Sequence, residues 1–140
     1  MTNPKLLFVY GTLLKKLNLP CYRYLQKIAR FAGEANTNGY LWDLGCYPGI
    51  CIDPEGSIVH GEVFELASTV DWQELDNYEG FDSHDLAQSL YLRIETEVTL
   101  QNGLKSTAWV YHYQGTMKQA VLIHDGDYAR HRQKTKHQLK

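Results

Sequence analysis

Leu90-Tyr91-Leu92-Arg93-Ile94-Glu95-Thr96-Glu97-Val98-Thr99-Leu100 and Leu104-Lys105-Ser106-Thr107-Ala108-Trp109-Val110-Tyr111-His112-Tyr113, joined across Asn102-Gly103, form the clearest element of the chain. Both arms are rich in β-branched and aromatic residues, and Asn-Gly is the preferred dipeptide of a type I′ hairpin turn. A two-residue turn there predicts Arg93 beside His112 and Ile94 beside Tyr111. Tyr111 then faces the interior, and Tyr91 reaches a site on the other face only through a bulge or strong curvature. Tyr91 and Arg93 share one face, because strand side chains alternate.

Upstream of this hairpin the pattern is mixed. Residues 5–10 read as a buried first strand, and Pro20 is well placed in the first turn of a helix running to about Phe31. Leu25, Ile28, Ala29 and Ala32 give that helix an apolar face. A second strand is expected over residues 33–44, with Gly39 marking a bulge or bend. After the turn Tyr47-Pro48-Gly49 come short strands at 50–52 and 59–66. Ser68 or Thr69, with Asp71 following, begins a second helix carrying Val70, Trp72, Leu75 and Tyr78 and ending near Gly80. Residues 81–89 read as a polar loop. About six strands, largely sequential, and two short helices define an α+β fold.

Bulk properties agree with one domain. The chain has 140 residues, 44% of them apolar and 21% charged, with a formal net charge of −2. That composition fits a folded globular protein and excludes a disordered one. Residues 130–140 carry five Lys/Arg and no acid, leaving nine basic against sixteen acidic residues in the body. We divide the chain into a domain over residues 1–128 and a basic C-terminal tail over 129–140, read as a flexible, solvated terminus. The tail lacks the interleaved aromatics that stack on single-stranded nucleic acid, so no nucleic-acid partner is expected. Three cysteines, at 21, 46 and 51, fit no ligand spacing and no disulfide framework, which points to a reducing, cytoplasmic setting. No stretch approaches the roughly 18 apolar residues of a membrane span, and residues 1–5 lack signal-peptide character. The six histidines show no metal-ligand pairing. The adjacent trio Ser83-His84-Asp85 cannot adopt the geometry of a hydrolase triad, which assembles from distant positions.

Two short stretches carry candidate chemistry. The run Leu6-Leu7-Phe8-Val9 breaks into Tyr10-Gly11-Thr12-Leu13, a glycine turn after a strand. Such a turn presents backbone N–H groups to a carboxylate or an oxyanion. Glu79 lies at a helix C-terminus, where the macrodipole disfavours negative charge, close to Asp76 and Asp82 and flanked by Tyr78 and Phe81. All of these push its pKa upward, which suits proton transfer near neutrality.

Taken together, Tyr10-Gly11-Thr12-Leu13, Gly61-Glu62-Val63-Phe64, Leu75-Asp76-Asn77-Tyr78-Glu79-Gly80 and Tyr91-Leu92-Arg93 resemble the gamma-glutamylcyclotransferase-like (AIG2-like) family, over roughly residues 6–113. The resemblance implies a small mixed β-barrel with short helices around it. It implies a soluble, cofactor-free enzyme that cyclises a small-molecule gamma-glutamyl substrate to 5-oxoproline. Glu79 would be the catalytic acid/base, and Tyr10, Gly11, Thr12, Leu13, Tyr91 and Arg93 would bind substrate. Arg93 is open to two readings, a bidentate carboxylate clamp or an outward ion pair. The polar segment 81–90 departs from the family pattern and is the candidate lid or recognition loop. A non-catalytic binding protein that keeps the fold and pocket is the alternative.

Overall fold

The computed structural model describes residues 5–45, 47–67, 72–79 and 90–138, with side chains described outside 77–79 and 135–138. The helix start at Ser68, Thr69 and Asp71, the loop 81–89, Gly80 and Cys46 lie outside the described residues.

Among the described residues, seven strands and three α-helices follow one another as β1 (Leu6–Val9), α1 (Pro20–Ile28), β2 (Ala29–Asp43), β3 (Pro48–Ile52), β4 (Ser57–Leu66), α2 (Trp72–Glu79), β5 (Tyr91–Leu100), β6 (Lys105–Tyr113), β7 (Val121–Leu122) and α3 (Tyr128–Gln138). Antiparallel neighbours β1–β4–β2–β3 continue to β6, which pairs in parallel with both β3 and β1 and closes a five-stranded barrel. β5 lies against β6 and touches β2, and β7 adds to β2. The expected α+β barrel is therefore present. Closure leaves the short β1 with no free edge.

β1 is apolar throughout because both its faces are covered. Phe8 packs with Leu41, Ile50, Val59, Val63, Val98 and Val110 of the surrounding strands. Leu7 and Val9 belong to a second buried group with Leu25 of α1, Leu75 of α2 and Phe64. A strand buried on both sides reads as a continuous apolar run, as Leu6 to Val9 does.

Two boundaries differ from the sequence expectation. α1 stops at Ile28, and Ala29 enters β2 with extended backbone angles (φ −151°, ψ 159°). Ala29, Arg30 and Phe31 pair with Leu66, Glu65 and Phe64 of β4, and the Phe31 ring meets Phe64 edge-on at 5.5 Å. The ladder thus overrides a helical periodicity that the sequence alone supports. The bulge in β2 falls between Phe31 and Gly33, where Gly33 has φ +131°, and not at Gly39. Gly39 is needed for close approach: there β2 passes from Ser57 of β4 to Ile52 of β3, and a methyl group would lie 2.5 Å from the Cys51 carbonyl oxygen.

The basic C-terminal segment takes helical form as α3, with Tyr128 and Ala129 buried and His131 Nε2 2.8 Å from Asp43 Oδ2. Among the described residues no helix is long and apolar enough to cross a membrane.

Candidate functional site

The loop leaving β1 is held from several sides. The Tyr10 hydroxyl donates to the Tyr111 carbonyl oxygen at 2.8 Å, tying the loop to β6. Leu14 N–H returns to the Gly11 carbonyl at 3.0 Å and closes the turn. Cys21 Sγ on α1 lies 2.9 Å from the Thr12 carbonyl oxygen. Behind the turn, Glu62 of β4 is only 2% exposed, and its carboxylate accepts the Lys15 backbone N–H at 2.6 Å. Burial raises the Glu62 pKa, opposed by the backbone N–H groups of Lys15 and Lys16. Gly11 has no room for a side chain, because a Cβ there would enter the Pro48 ring.

With the loop so fixed, the N–H groups of Gly11, Thr12 and Leu13 make no backbone hydrogen bond among the described residues. Unpaired amides in a buried turn are rare and call for a partner. Gly11, Thr12 and Leu13 line a cavity of about 310 Å³ together with Phe8, Val9, Tyr10, Tyr47, Pro48, Leu90, Tyr91 and Tyr111. The structure thus brings Tyr10, Gly11, Thr12, Leu13 and Tyr91 together around one cavity.

The hairpin corrects one expectation. Leu100 N–H bonds to Leu104 O at 2.8 Å and Gly103 N–H to Leu100 O at 2.9 Å, so the loop is the three residues Gln101-Asn102-Gly103, with Gly103 at φ +87°. That is a turn followed by a left-handed glycine, not a two-residue turn. The register therefore moves by one residue: Arg93 faces Tyr111, Leu92 faces His112, and Tyr91 faces Tyr113. A one-residue slip exchanges the faces of a strand. Tyr91, Arg93, Tyr111 and Tyr113 now share a face, and no bulge is needed to bring Tyr91 to the cavity. Tyr111, expected to be a plain interior residue, is buried and lines the cavity as well.

Arg93 does not line the cavity. Its Nε and Nη2 lie 2.9 and 3.3 Å from Oδ1 and Oδ2 of Asp76, and its guanidinium stacks 4.0 Å from the Trp72 ring centre and 4.8 Å from that of Trp109. Among the described groups the carboxylate it grips is thus that of Asp76. Asp76 is 6% exposed and also accepts the Tyr111 hydroxyl at 2.7 Å. The negative charge expected to bear on Glu79 from Asp76 is matched by a cation. Arg93 reaches the cavity indirectly, through Asp76 and Tyr111. Glu79 closes α2, one turn after Asp76, and its side chain lies outside the described residues.

Pro48 and Glu62 were also unassigned in the sequence. Glu62 carries a signal that could have marked it, since it falls in the same alternating set as Phe64 and Leu66. A second cleft, of about 400 Å³, is lined by Lys16, Glu34, His60, Thr99 and Asp127 among others. Its Lys16 and Glu34 already pair with each other at 3.4 Å, and none of its described lining residues lines the first cavity.

A closed barrel whose first strand ends in a glycine loop over a tyrosine-lined cavity defines a fold shared by cyclotransferase-like proteins. The chain belongs to the family described as gamma-glutamyl cyclotransferase, AIG2-like, whose sequence profile matches residues 7–130. It is 32% identical over 127 residues to a Vibrio cholerae protein provisionally named a gamma-glutamylcyclotransferase, covering 88% of this chain and 94% of that protein. It is 29% identical over 125 residues to the Escherichia coli gamma-glutamylcyclotransferase family protein YtfP, covering 87% and 94% of the two chains. Among solved structures, Bacillus subtilis YkqA superposes with a TM-score of 0.71 at 26% identity, over 94% of this chain and 42% of YkqA. A mouse AIG2-like protein shares the fold at 20% identity, with a TM-score of 0.68 over 89% and 87% of the chains.

Proposed function

We propose that the protein is a gamma-glutamyl cyclotransferase that needs no cofactor and uses Glu79 as its proton shuttle. The observation that carries this reading is that Gly11, Thr12 and Leu13, whose N–H groups make no backbone hydrogen bond among the described residues, line one cavity with Tyr91 and Tyr111. The α-amine of a gamma-glutamyl amide attacks its own γ-carbonyl carbon, and a C–N bond forms to close a five-membered ring. The original amide C–N bond then breaks, giving 5-oxoproline and a free amine.

Because attack is intramolecular, the protein's main task is to hold the bent conformer, which removes most of the entropic barrier. The loop amides are suited to the substrate carboxylate or to the oxygen that gains charge as the ring closes. Glu79 takes the proton from the attacking amine and returns one to the departing nitrogen. Arg93, Asp76 and Tyr111 act as positioning residues. The Asp76–Arg93 pair fastens α2 to the hairpin one turn before Glu79, and the Tyr111 hydroxyl is fixed on the same carboxylate.

The test is 5-oxoproline release from a panel of gamma-glutamyl amides by the wild type and by Glu79→Gln. Release by the wild type and a fall of about a hundredfold or more in the variant are expected. Equal release by both removes Glu79 from the mechanism. Saturable binding without product, across the panel, would favour the non-catalytic binding protein.

A further inference from the structure

Resting on the cyclotransferase reading, we infer that the amine released by this protein has an apolar chain with no second ionisable group, a chain seated against Tyr47, Pro48, Leu90 and Tyr91. Both the lining chemistry and the hydrogen bonding of the cavity support this. Among the described lining residues none carries a charged side chain. The three buried tyrosine hydroxyls already have partners: Tyr10 donates to the Tyr111 carbonyl, Tyr91 to the Pro48 carbonyl at 2.7 Å, and Tyr111 to Asp76. These rings therefore offer the cavity mainly carbon. The Tyr91 ring lies 5.3 Å from that of Tyr113 and 6.2 Å from that of Tyr47, so Tyr91 belongs to a packed aromatic group.

The polar part of the substrate is the same for every gamma-glutamyl amide, and the loop amides are the polar groups that could hold it. A cavity of about 310 Å³ is at the small end for ligand sites and leaves room for only a modest leaving amine. A carboxylate or ammonium on that amine would lose water where it meets the buried Pro48 and Tyr91, with no described ion to replace it. An alkyl or aryl amine gains by the same contact.

Three substrates that share a five-carbon chain separate these cases: the gamma-glutamyl amides of pentylamine, of 1,5-diaminopentane and of 5-aminopentanoate. The expected result is a kcat/KM at least roughly tenfold higher for the pentylamide than for either charged amide. Calorimetric binding of the same three amides to Glu79→Gln gives the order without turnover, and the pentylamide should bind tightest. Tyr47→Lys should narrow the gap between the pentylamide and the carboxylate-bearing amide. Equal or better use of either charged amide overturns the inference, as does failure of all three to bind. A cationic preference would mean that the tyrosine faces attract the ammonium. Tightest binding of the pentylamide with no 5-oxoproline from any of the three would support the apolar wall and overturn the cyclotransferase reading.

Discussion

Two buried carboxylates hold the two halves of the cavity, and they are satisfied in opposite ways. Asp76, under α2, meets a cation: Arg93 grips both its oxygens while Trp72 and Trp109 cover the guanidinium. Glu62, under the glycine loop, meets backbone amides, and its burial is reflected in a raised pKa. The first arrangement fastens a helix to a hairpin through a charge pair. The second fixes a loop through neutral donors and leaves a residual cost for keeping a charge out of water. What differs is the consequence of losing each acid.

The largest effect is expected on the ion-pair side. Asp76→Ala leaves Arg93 half-enclosed without its carboxylate, which should cost about 3–5 kcal/mol of stability in urea unfolding. Asp76→Asn keeps an acceptor for Tyr111 and should cost less. If Asp76→Ala proves as mild as an exposed salt-bridge deletion, the charge pair is not what fastens α2.

On the loop side, Gly11→Ala drives a methyl group into the Pro48 ring. The expected loss is about 1–3 kcal/mol, read as a lowered Tm. On the proposed reading, a larger proportional loss of 5-oxoproline release accompanies it. An active, fully stable Gly11→Ala would show that the loop and Pro48 yield easily, and the comparison would lose its rigid half. Glu62→Ala removes the acceptor for the Lys15 N–H and should cost a similar 1–3 kcal/mol.

These side chains were unevenly legible in the sequence. The β1-to-glycine break, the hairpin and α2 were readable because each depends on local pattern: an apolar run, alternating strands and a Leu75-centred helix. Hairpin register was not, because Asn102-Gly103 serves both a two-residue and a three-residue loop. Only the Leu100 and Leu104 hydrogen bonds distinguish them. That single residue decides whether Tyr111 faces the cavity. Arg93 was legible as a carboxylate clamp, but its partner sits 17 positions away on α2, set by packing between two tryptophans. The end of α1 was hidden for a related reason, since Ala29 to Phe31 satisfy a helical period yet pair with β4.

pH sharpens the contrast further. Burial raises the Glu62 pKa, so its contribution to stability is full below the ordinary carboxylate value and is lost as pH rises through the raised one. Glu62→Gln keeps an acceptor for Lys15 but no charge. Its Tm should therefore gain on that of the wild type as pH rises across this window. A constant difference would mean that the amides compensate the charge fully.

The smallest effect lies outside both carboxylates. His112 Nδ1 accepts the Ile52 N–H at 3.0 Å, and burial lowers its pKa. Its contribution is present above the ordinary imidazole value and fades as pH falls through the lowered one. His112→Asn should flatten the dependence of the urea midpoint on pH in that range, and an unchanged slope would exclude this residue as its source.

The central claim concerns the amides at the end of β1. A titration of the ¹⁵N-labelled protein with 5-oxoproline, followed by amide chemical shifts, tests it most directly. Saturable shifts concentrated at Gly11, Thr12 and Leu13, with smaller ones at Tyr91 and Tyr111, are predicted. Shifts gathered instead at His60 and Thr99, in the charged cleft, or none at the glycine loop, would contradict the account.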